Sequence, residues 1–429
     1  MAKTFERGIS SIPGYKELTE NMSIQDLPLP SELIIPLRQH IGAPNRRLVS
    51  VGERVKAGQI IGDSDAAISA PVHTGLSGVV REIGSRMTQT GQMEDCVVIE
   101  VDPEQEKVKY TADDVSHLTK EEIVQRIKAA GIVGMGGAGF PTHIKITPQT
   151  KIEYLVLNGC ECEPYLTCDH RLMLEYADEM IAGARILSRV LDNAKVIFGI
   201  EVNKQDAIDL LKEKLKNEER MEVVPLDVKY PQGAEKQLIY ATTGRSVPPG
   251  KLPAEVAVVV QNVATAKAVA DAVIYRKPLT ERIVTLTGDA AVQPGNYRVF
   301  VGTTLAHLIN STGGLKPDVG KIIMGGPMTG WAQKSLEAPI VKACGGVIAL
   351  TREQLAAAQE YYACVRCGKC VDHCPMALYP NYIGMYAELG KYKQAQEWGA
   401  LDCFECGICA YVCPSRRPLI EFIRRSKRA

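Results

Sequence analysis

Two near-identical cysteine runs close the chain, and eight thiols in this pattern leave few folds open. They read Cys364-x-x-Cys367-x-x-Cys370-x-x-x-Cys374-Pro375 and Cys403-x-x-Cys406-x-x-Cys409-x-x-x-Cys413-Pro414. Sulfurs at i, i+3 and i+6 can converge on three corners of a cube, and the prolines end the local turn and redirect the chain. In such pairs each cubane cluster takes three ligands from one run and its fourth from the other. The expected sets are Cys364, Cys367, Cys370 and Cys413 for one [4Fe–4S] cluster, and Cys403, Cys406, Cys409 and Cys374 for the second. Structural zinc is the rival, but zinc knuckles pair two C-x-x-C hooks and need neither a third evenly spaced cysteine nor a proline closure. The tail therefore reads as a carrier of single electrons. Arg366, Lys369, Asp372 and Glu405 are the charged neighbours available to tune it.

A chain of 429 residues exceeds one ordinary core, and two to four domains are expected. Fifty acidic residues balance fifty basic ones, so overall charge offers nothing to nucleic acid. The opening MAKTFERGISSIPGYK lacks the apolar run of a secretory signal. Thirteen cysteines arranged in this way fit a reducing, cytosolic setting better than disulfides. No apolar stretch approaches the length needed to cross a bilayer, so no transmembrane segment is expected.

Along the chain, residues 1–30 read as an extended polar lead-in. Short β runs punctuated by glycine fill 33–101, the pattern of a small all-β unit. From Ser116 to Ile274 strands alternate with helices, as in a doubly covered α/β sheet. HRLMLEYADEMIAGARILSRVL reads as one long helix in that stretch, and AEVAVVVQN as a strand. RIVTLTG (282–288) opens a second β-rich unit with one helix, and helices and cysteine loops follow from Gln354. YIGMYAELGKYKQAQEWGA is expected to be helical, and the basic end IEFIRRSKRA to be a solvated terminus rather than a membrane contact.

Gly134-Met-Gly136-Gly137-Ala-Gly139-Phe-Pro141 contains a G-x-G-x-x-G match, yet a helix precedes it and a proline follows. It therefore fails the strand–loop–helix context of a dinucleotide fingerprint. Its physical content survives, because four glycines in six residues let backbone N–H groups approach an anionic or planar ligand closely. Lys145, just beyond, could meet a phosphate. Asn262 stands where strand AEVAVVV stops, the end at which open α/β sheets place ligands.

GMGGAGFPTHIKI, followed by Asn158-Gly-Cys160-Glu161-Cys162-Glu163-Pro164, resembles the flavin- and NADH-binding subunit of respiratory complex I. The whole order, covering about residues 5–415, more closely resembles the C subunits of Rnf (Rsx) electron-transport complexes. The resemblance implies a multidomain α/β chain. Its parts would be a barrel-sandwich (biotinyl- or lipoyl-like) β domain at 30–105 and an FMN/NADH-binding α/β domain at 112–278. A β-grasp-like domain at 279–335 and a helical two-cluster ferredoxin-like module at 354–417 would follow.

It also implies non-covalent FMN, with NADH as hydride donor, and carries Gly134, Gly136, Gly137, Gly139 and Lys145 over as the loop around FMN. Asn158 matches a flavin-contacting asparagine, and Glu161 and Glu163 match an acidic pair near flavin and nicotinamide, the expected catalytic positions. Glu235 is the retained member of a glutamate pair, and Asn262 and Thr265 match a flavin-contacting N-N-V-E-T stretch. Implied partners are the membrane and other peripheral subunits of an Rnf-type complex, with ferredoxin reached through it and coupled Na⁺ or H⁺ movement. The implied place is the cytoplasmic side of the membrane.

The complex I subunit has an aspartate where this chain has Cys160 and a serine where it has Cys162. With no proline closure, Cys160, Cys162 and Cys168 read as buried thiols rather than a third metal site. At the tip where a biotinyl carrier would present lysine this chain has Pro71-Val72-His73-Thr74, which argues against a carrier role; His73 reads as a surface or hydrogen-bonded residue. Two rivals stay open at this level: a soluble NADH-dependent cobalamin (or other carrier) reductase, and a non-enzymatic iron–sulfur scaffold.

Overall fold

The computed structural model describes residues 2–106, 108–355 and 360–429. In the first region, strand Glu32–Pro36 runs antiparallel to Met93–Val101, which pairs with Gly78–Met87 and through it with Arg54–Val55. A second small sheet joins Arg46–Arg47, Ile60–Asp63 and Val72–His73. Side chains alternate across a strand, so Leu33 and Ile35, and Val97 and Ile99, fall on the inner face and build the core with Val55, Ile61 and Val80.

The central region is a four-stranded parallel sheet in the order Met221–Leu226, Lys195–Glu201, Tyr154–Asn158, Val258–Asn262. Its strands are near-continuous apolar runs because both faces are covered. One face carries helices Lys120–Ala129, Cys168–Glu175, Ala177–Val190, Gln205–Lys214 and Val263–Ile274, and the other carries Glu235–Thr243. Thr119 and Glu122 form a reciprocal capping box at the start of the first helix. The expected long helix is two, broken at Tyr176 (φ −128°, ψ 33°), whose hydroxyl accepts from Arg298. The expected strand AEVAVVVQN begins only at Val258, because Pro253–Val256 forms a 3₁₀ turn. Gly183 lets Ala177–Val190 pack closely on Val263–Ile274: a Cβ there would sit 1.8 Å from the Ala266 carbonyl oxygen.

The third region is a six-stranded mixed sheet in the order Ile24–Asp26, Gly295–Phe300, Glu281–Thr287, Gly346–Thr351, Val319–Met324, Trp331–Ala332, with helix Leu305–Ser311. Two of its strands come from outside 279–335. The polar lead-in is extended but not loose: it bridges Leu226 at Lys3 and Tyr230 at Ile9 before adding its strand to the sheet. Lys342 ties three regions together. Its buried ammonium donates to the carbonyls of Pro71 and Gly131, both at 2.7 Å, and its backbone N–H donates to Gln39 Oε1. His73 is buried beside it, not on the surface, and burial lowers its pKa to about 3.

The last region is an internal repeat with a 39-residue offset, Cys364 to Cys403 and Cys374 to Cys413. Helix Lys369–Asp372 corresponds to Ile408–Tyr411, and Pro380–Glu388 to Leu419–Arg428. Left-handed residues recur in step: Arg366 with Glu405, Gly368 with Gly407, Ala377 with Arg416. The expected helical link is split at Gly390 (φ 69°), and helix Tyr392–Glu397 follows. The basic end is not a solvated terminus. It is a helix that buries Leu419, Phe422 and Ile423 against Ile383 and Ala387. Part of the helical start expected from Gln354 falls on 356–359, outside the described residues.

Candidate flavin cleft and cysteine module

Strands Tyr154–Asn158 and Val258–Asn262 end in register, which sets Asn158 beside Asn262 at the carboxyl edge of the sheet. The glycine loop lies against that edge. Together they border a cleft enclosing ≈ 980 Å³, open mouth included, lined by Gly136, Gly137, Asn158, Glu161, Glu163 and Asn262 among others. Six of the sequence-predicted residues thus meet in one space. Gly137 has nothing within 4 Å of where a Cβ would be, whereas a Cβ on Gly136 would come within 2.8 Å of Asn262 Nδ2. That glycine cradle fits a planar ligand with an anionic tail.

The remaining predicted residues sit one layer out. Gly134 N–H donates to Phe140 O at 2.9 Å and Gly139 takes φ 71°, which closes the loop. Thr265 Oγ1 accepts from Met135 N–H at 3.0 Å and so holds the loop from behind. Lys145 and Glu235 form an ion pair at 2.6 Å and do not line the cleft. Both asparagines are engaged by protein. Asn158 donates to Gly233 O and accepts from Cys160 N–H. Asn262 caps the N–H of Ala264 and donates to Asp169 Oδ2 at 2.6 Å.

The segment carrying the two glutamates is held by lysines that sequence reasoning missed. Lys16 Nζ, buried, donates to the carbonyls of Glu161 (2.9 Å), Glu163 (3.1 Å) and Leu166 (2.5 Å). Lys204 Nζ, 1% exposed, donates to Cys160 O at 2.6 Å. These contacts fix a backbone in which Glu161 and Tyr165 take positive φ, 46° and 71°. Lys16 carries no sequence signal, being one polar residue in a polar lead-in. Lys204 follows the end of strand Lys195–Glu201, the edge where ligands gather, and that position was a usable clue.

The carboxylate of Glu161 accepts from the N–H groups of Asp169 (2.7 Å) and His170 (3.3 Å), capping helix Cys168–Glu175. Glu163 accepts from Met328 N–H and Thr329 Oγ1, and burial raises its pKa. Asp169, also missed, is pushed up to about 6 by burial and then by the neighbouring Glu161 carboxylate. Burial likewise raises the thiols of Cys160, Cys162 and Cys168. Cys168 has its sulfur within 4.8 Å of oxygens of Glu161 and Asp169, in a group that does not include Cys160 or Cys162.

In the cysteine module the thiols crowd into two neighbourhoods. Cys370 is raised by burial, with Cys413, Cys364 and Cys367 adding to the shift. Cys409 is raised by burial, with Cys403, Cys406 and Cys374 as near neighbours and Cys370 behind them. Cys364, Cys367, Cys370 and Cys413 line one small cavity. Crowded soft donors are what an iron–sulfur cluster fits. The two groups differ in access. Cys364 and Cys367 are exposed, whereas Cys406 and Cys409 are buried. Cys406 lines a second, outer cleft of ≈ 1770 Å³ that shares Gly136, Gly137 and Glu163 with the inner one. Tyr230 donates its hydroxyl to Cys406 O at 2.8 Å from the central domain.

Three family matches cover these regions in order. Residues 3–104 match the RnfC barrel sandwich hybrid domain, 127–271 the Nuo51 FMN-binding domain, and 357–414 a 4Fe-4S dicluster domain. The chain is 43% identical, over its whole length and 94% of the relative, to the C subunit of the proton-translocating ferredoxin:NAD(+) oxidoreductase complex of Clostridium ljungdahlii. It is 41% identical, over 99% of itself and 96% of the relative, to the Na(+)-translocating counterpart of Acetobacterium woodii. The chain belongs to the RnfC family. It spans 65% of a Haemophilus influenzae relative, the C subunit of an ion-translocating oxidoreductase complex, at 39% identity over 99% of itself. A chain of an NAD⁺-reducing [NiFe]-hydrogenase in its H₂-reduced state shares the fold (TM-score 0.53, 19% identity, 73% of this chain and 65% of that one).

Membership makes this an oxidoreductase subunit whose domains bind FMN and paired [4Fe–4S] clusters, which sets aside the carrier-reductase and scaffold rivals. Among the described residues no helix is long and apolar enough to cross a membrane.

Proposed function

We propose that this subunit receives electrons from NADH at the inner cleft and delivers them through its cysteine module to the other subunits of an ion-translocating Rnf-type complex. It would sit peripherally on the cytoplasmic side of the membrane, with ferredoxin at the far end of the chain of carriers. One observation carries the reading: the glycine loop and Cys406 open onto the same continuous cleft. When bound, FMN supplies two-electron hydride chemistry and the clusters one-electron acceptance.

The protein's own part is positional. Gly136 and Gly137 offer backbone N–H groups at close range, where they can stabilise negative charge on a bound ring. Gly134, Gly139 and Thr265 keep that loop closed, and Asn158 and Asn262 fix the sheet edge beneath it. Glu161 and Glu163 form the acidic side of the site, held there by Lys16 and Lys204. The Lys145–Glu235 pair acts as an outer electrostatic brace. Cys364, Cys367, Cys370 and Cys413 hold one cluster; Cys403, Cys406, Cys409 and Cys374 hold the other.

The domain limits 30–105, 112–278, 279–335 and 354–417 belong to the same proposal. The third domain is best read as a β-grasp. A hairpin, a helix and a last strand running parallel to the first support that assignment, and they extend the unit to Gly346–Thr351. Anaerobic isolation, with iron, zinc and flavin assayed and NADH added under a visible spectrometer, tests the whole. About eight irons and one FMN per chain, bleached by NADH, are expected. Zinc in place of iron, or no flavin after reconstitution, would reject the reading.

A further inference from the structure

The N-terminal barrel has no role in anything above, yet it forms one wall of the outer cleft. Antiparallel pairing matches Pro36 with Cys96 and continues as Leu37 N–H donates to Asp95 O, which sets Arg38 opposite Glu94. Both line the outer cleft, with Thr88, Gln89 and Gln92 of the adjacent hairpin tip. This wall is fixed relative to the glycine loop. Ile41 N–H reaches Gly139 O at 3.4 Å, and Gln89 O accepts from Gln333 Nε2 at 2.8 Å, anchoring the tip to the third domain.

The other charged groups around this space have partners. Glu163 is bonded to Met328 and Thr329, and Glu405 to Arg424 and Lys427. Among the described residues Arg38 makes no ion pair or hydrogen bond, and neither carboxylate oxygen of Glu94 has a donor, although only Oε2 is shielded from water. Burial raises the Glu94 carboxyl, and Arg38 opposes that rise. A free guanidinium and an unsatisfied carboxylate side by side match a phosphate next to a ribose diol. The guanidinium fork suits phosphate oxygens, and a carboxylate accepts from ribose hydroxyls while repelling a 2′-phosphate.

We infer that the barrel completes the dinucleotide site, with Arg38 holding the pyrophosphate and Glu94 the diol of the adenosine ribose of NADH, so that the barrel selects NADH over NADPH. This rests on the reading of the inner cleft as the flavin and nicotinamide site. The geometry supports it because the inner cleft opens into the outer one past Gly136 and Gly137, so a dinucleotide seated over the loop extends toward the barrel wall.

The test uses the full chain, reconstituted anaerobically, with NADH or NADPH as donor and ferricyanide as acceptor. Iron and FMN content report that each variant is folded. Glu94→Gln is expected to raise KM for NADH about 10-fold, as loss of one charged hydrogen bond does, with kcat unchanged and the NADH-over-NADPH preference reduced. Arg38→Gln should raise KM for both donors, and Arg38→Lys should recover part of that loss. A parent that oxidises NADH while every variant keeps its KM and its donor preference overturns this inference alone. A parent loaded with FMN that oxidises neither donor overturns the flavin reading, and this inference with it.

Discussion

The two halves of the cysteine module share a ligand spacing, matched short helices and left-handed residues in step, yet they live in different surroundings. The first half faces outward: Cys364 and Cys367 are exposed, and Val365 between them is 66% exposed. The second half is built into the molecule. Cys406 is fixed by Tyr230, Lys427 Nζ donates to Cys403 O at 2.8 Å, and Gly407 abuts the Met328 carbonyl. Spacing alone decides what kind of group each half can hold. Packing decides that one half borders the outer cleft, which the glycine loop also lines, and the other borders solvent.

Serine substitution attacks the comparison most directly. Cys367→Ser and Cys406→Ser should each lower bound iron by about four atoms per chain, one cubane's worth. They should part company when NADH is added to the FMN-loaded protein. Loss of the inner set should slow reduction of the surviving cluster by more than about 10-fold, because the half next to the cleft is the one removed. Loss of the outer set should leave reduction of the inner cluster at the parental rate. Stopped-flow bleaching of both variants checks this, and equal rates would remove the asymmetry.

Glycine substitution comes next in size. Gly368 and Gly407 both hold left-handed φ (79° and 84°), so alanine at either costs about 1 kcal/mol from backbone strain. At Gly368 the nearest atom to the new Cβ is Asp372 Oδ2, 3.7 Å away, whereas at Gly407 it is the Met328 carbonyl oxygen at 2.8 Å. Gly407→Ala should therefore destabilise by about 2–3 kcal/mol and Gly368→Ala by about 1, because overpacking adds to strain only in the buried half. Urea unfolding of the two variants gives the difference.

That contrast also measures what the sequence could reveal. The cysteine spacing declared a paired-cluster module, which the family match over 357–414 bears out, and apolar runs ending at Asn158 and Asn262 declared the sheet edge. Those are local signals, written within a few residues. The clamps on the site are not local. Lys16 reaches the Glu161–Leu166 segment from 150 positions away for its last contact, and Lys342 reaches Pro71 across 271. Nothing in the sequence around Lys16 or Lys342 marks either as a lysine that distant chain will bury. The basic end misled for the same reason: read alone, its charges suggest solvent, but Leu419, Phe422 and Ile423 share the face that the first half of the repeat covers.

A pH series separates the halves by charge. Burial alone would raise the Glu405 carboxyl, but hydrogen bonds from Lys427 and Arg424 outweigh it and hold the group below its ordinary range. Its unfolded counterpart takes a proton first on acidification, so the stabilisation is present above the ordinary glutamate pKa of about 4.3 and is lost as pH falls through the depressed value. The first half has Arg366 at the matching position and no such carboxylate. Iron release to a chelator should accelerate below about pH 4 more steeply for the inner cluster than for the outer one. Glu405→Gln should flatten that extra slope, and parallel release curves in the parent would deny Glu405 this part.

The smallest expected effect belongs to Tyr230→Phe. The change deletes one hydroxyl and keeps the ring that packs against Ile9 and Ile408. It leaves Cys406 O without its donor from the central domain. A single neutral hydrogen bond contributes about 1 kcal/mol net, so global stability should fall by roughly that amount and no more. The location of the loss is more informative than its size. If the second half is held by the central domain, chelator-driven iron loss should quicken about fivefold from the inner cluster and stay unchanged in the outer one. Equal acceleration of both would mean that the module responds as one body, and that its buried face is a consequence of packing rather than a separate anchor for the inner set.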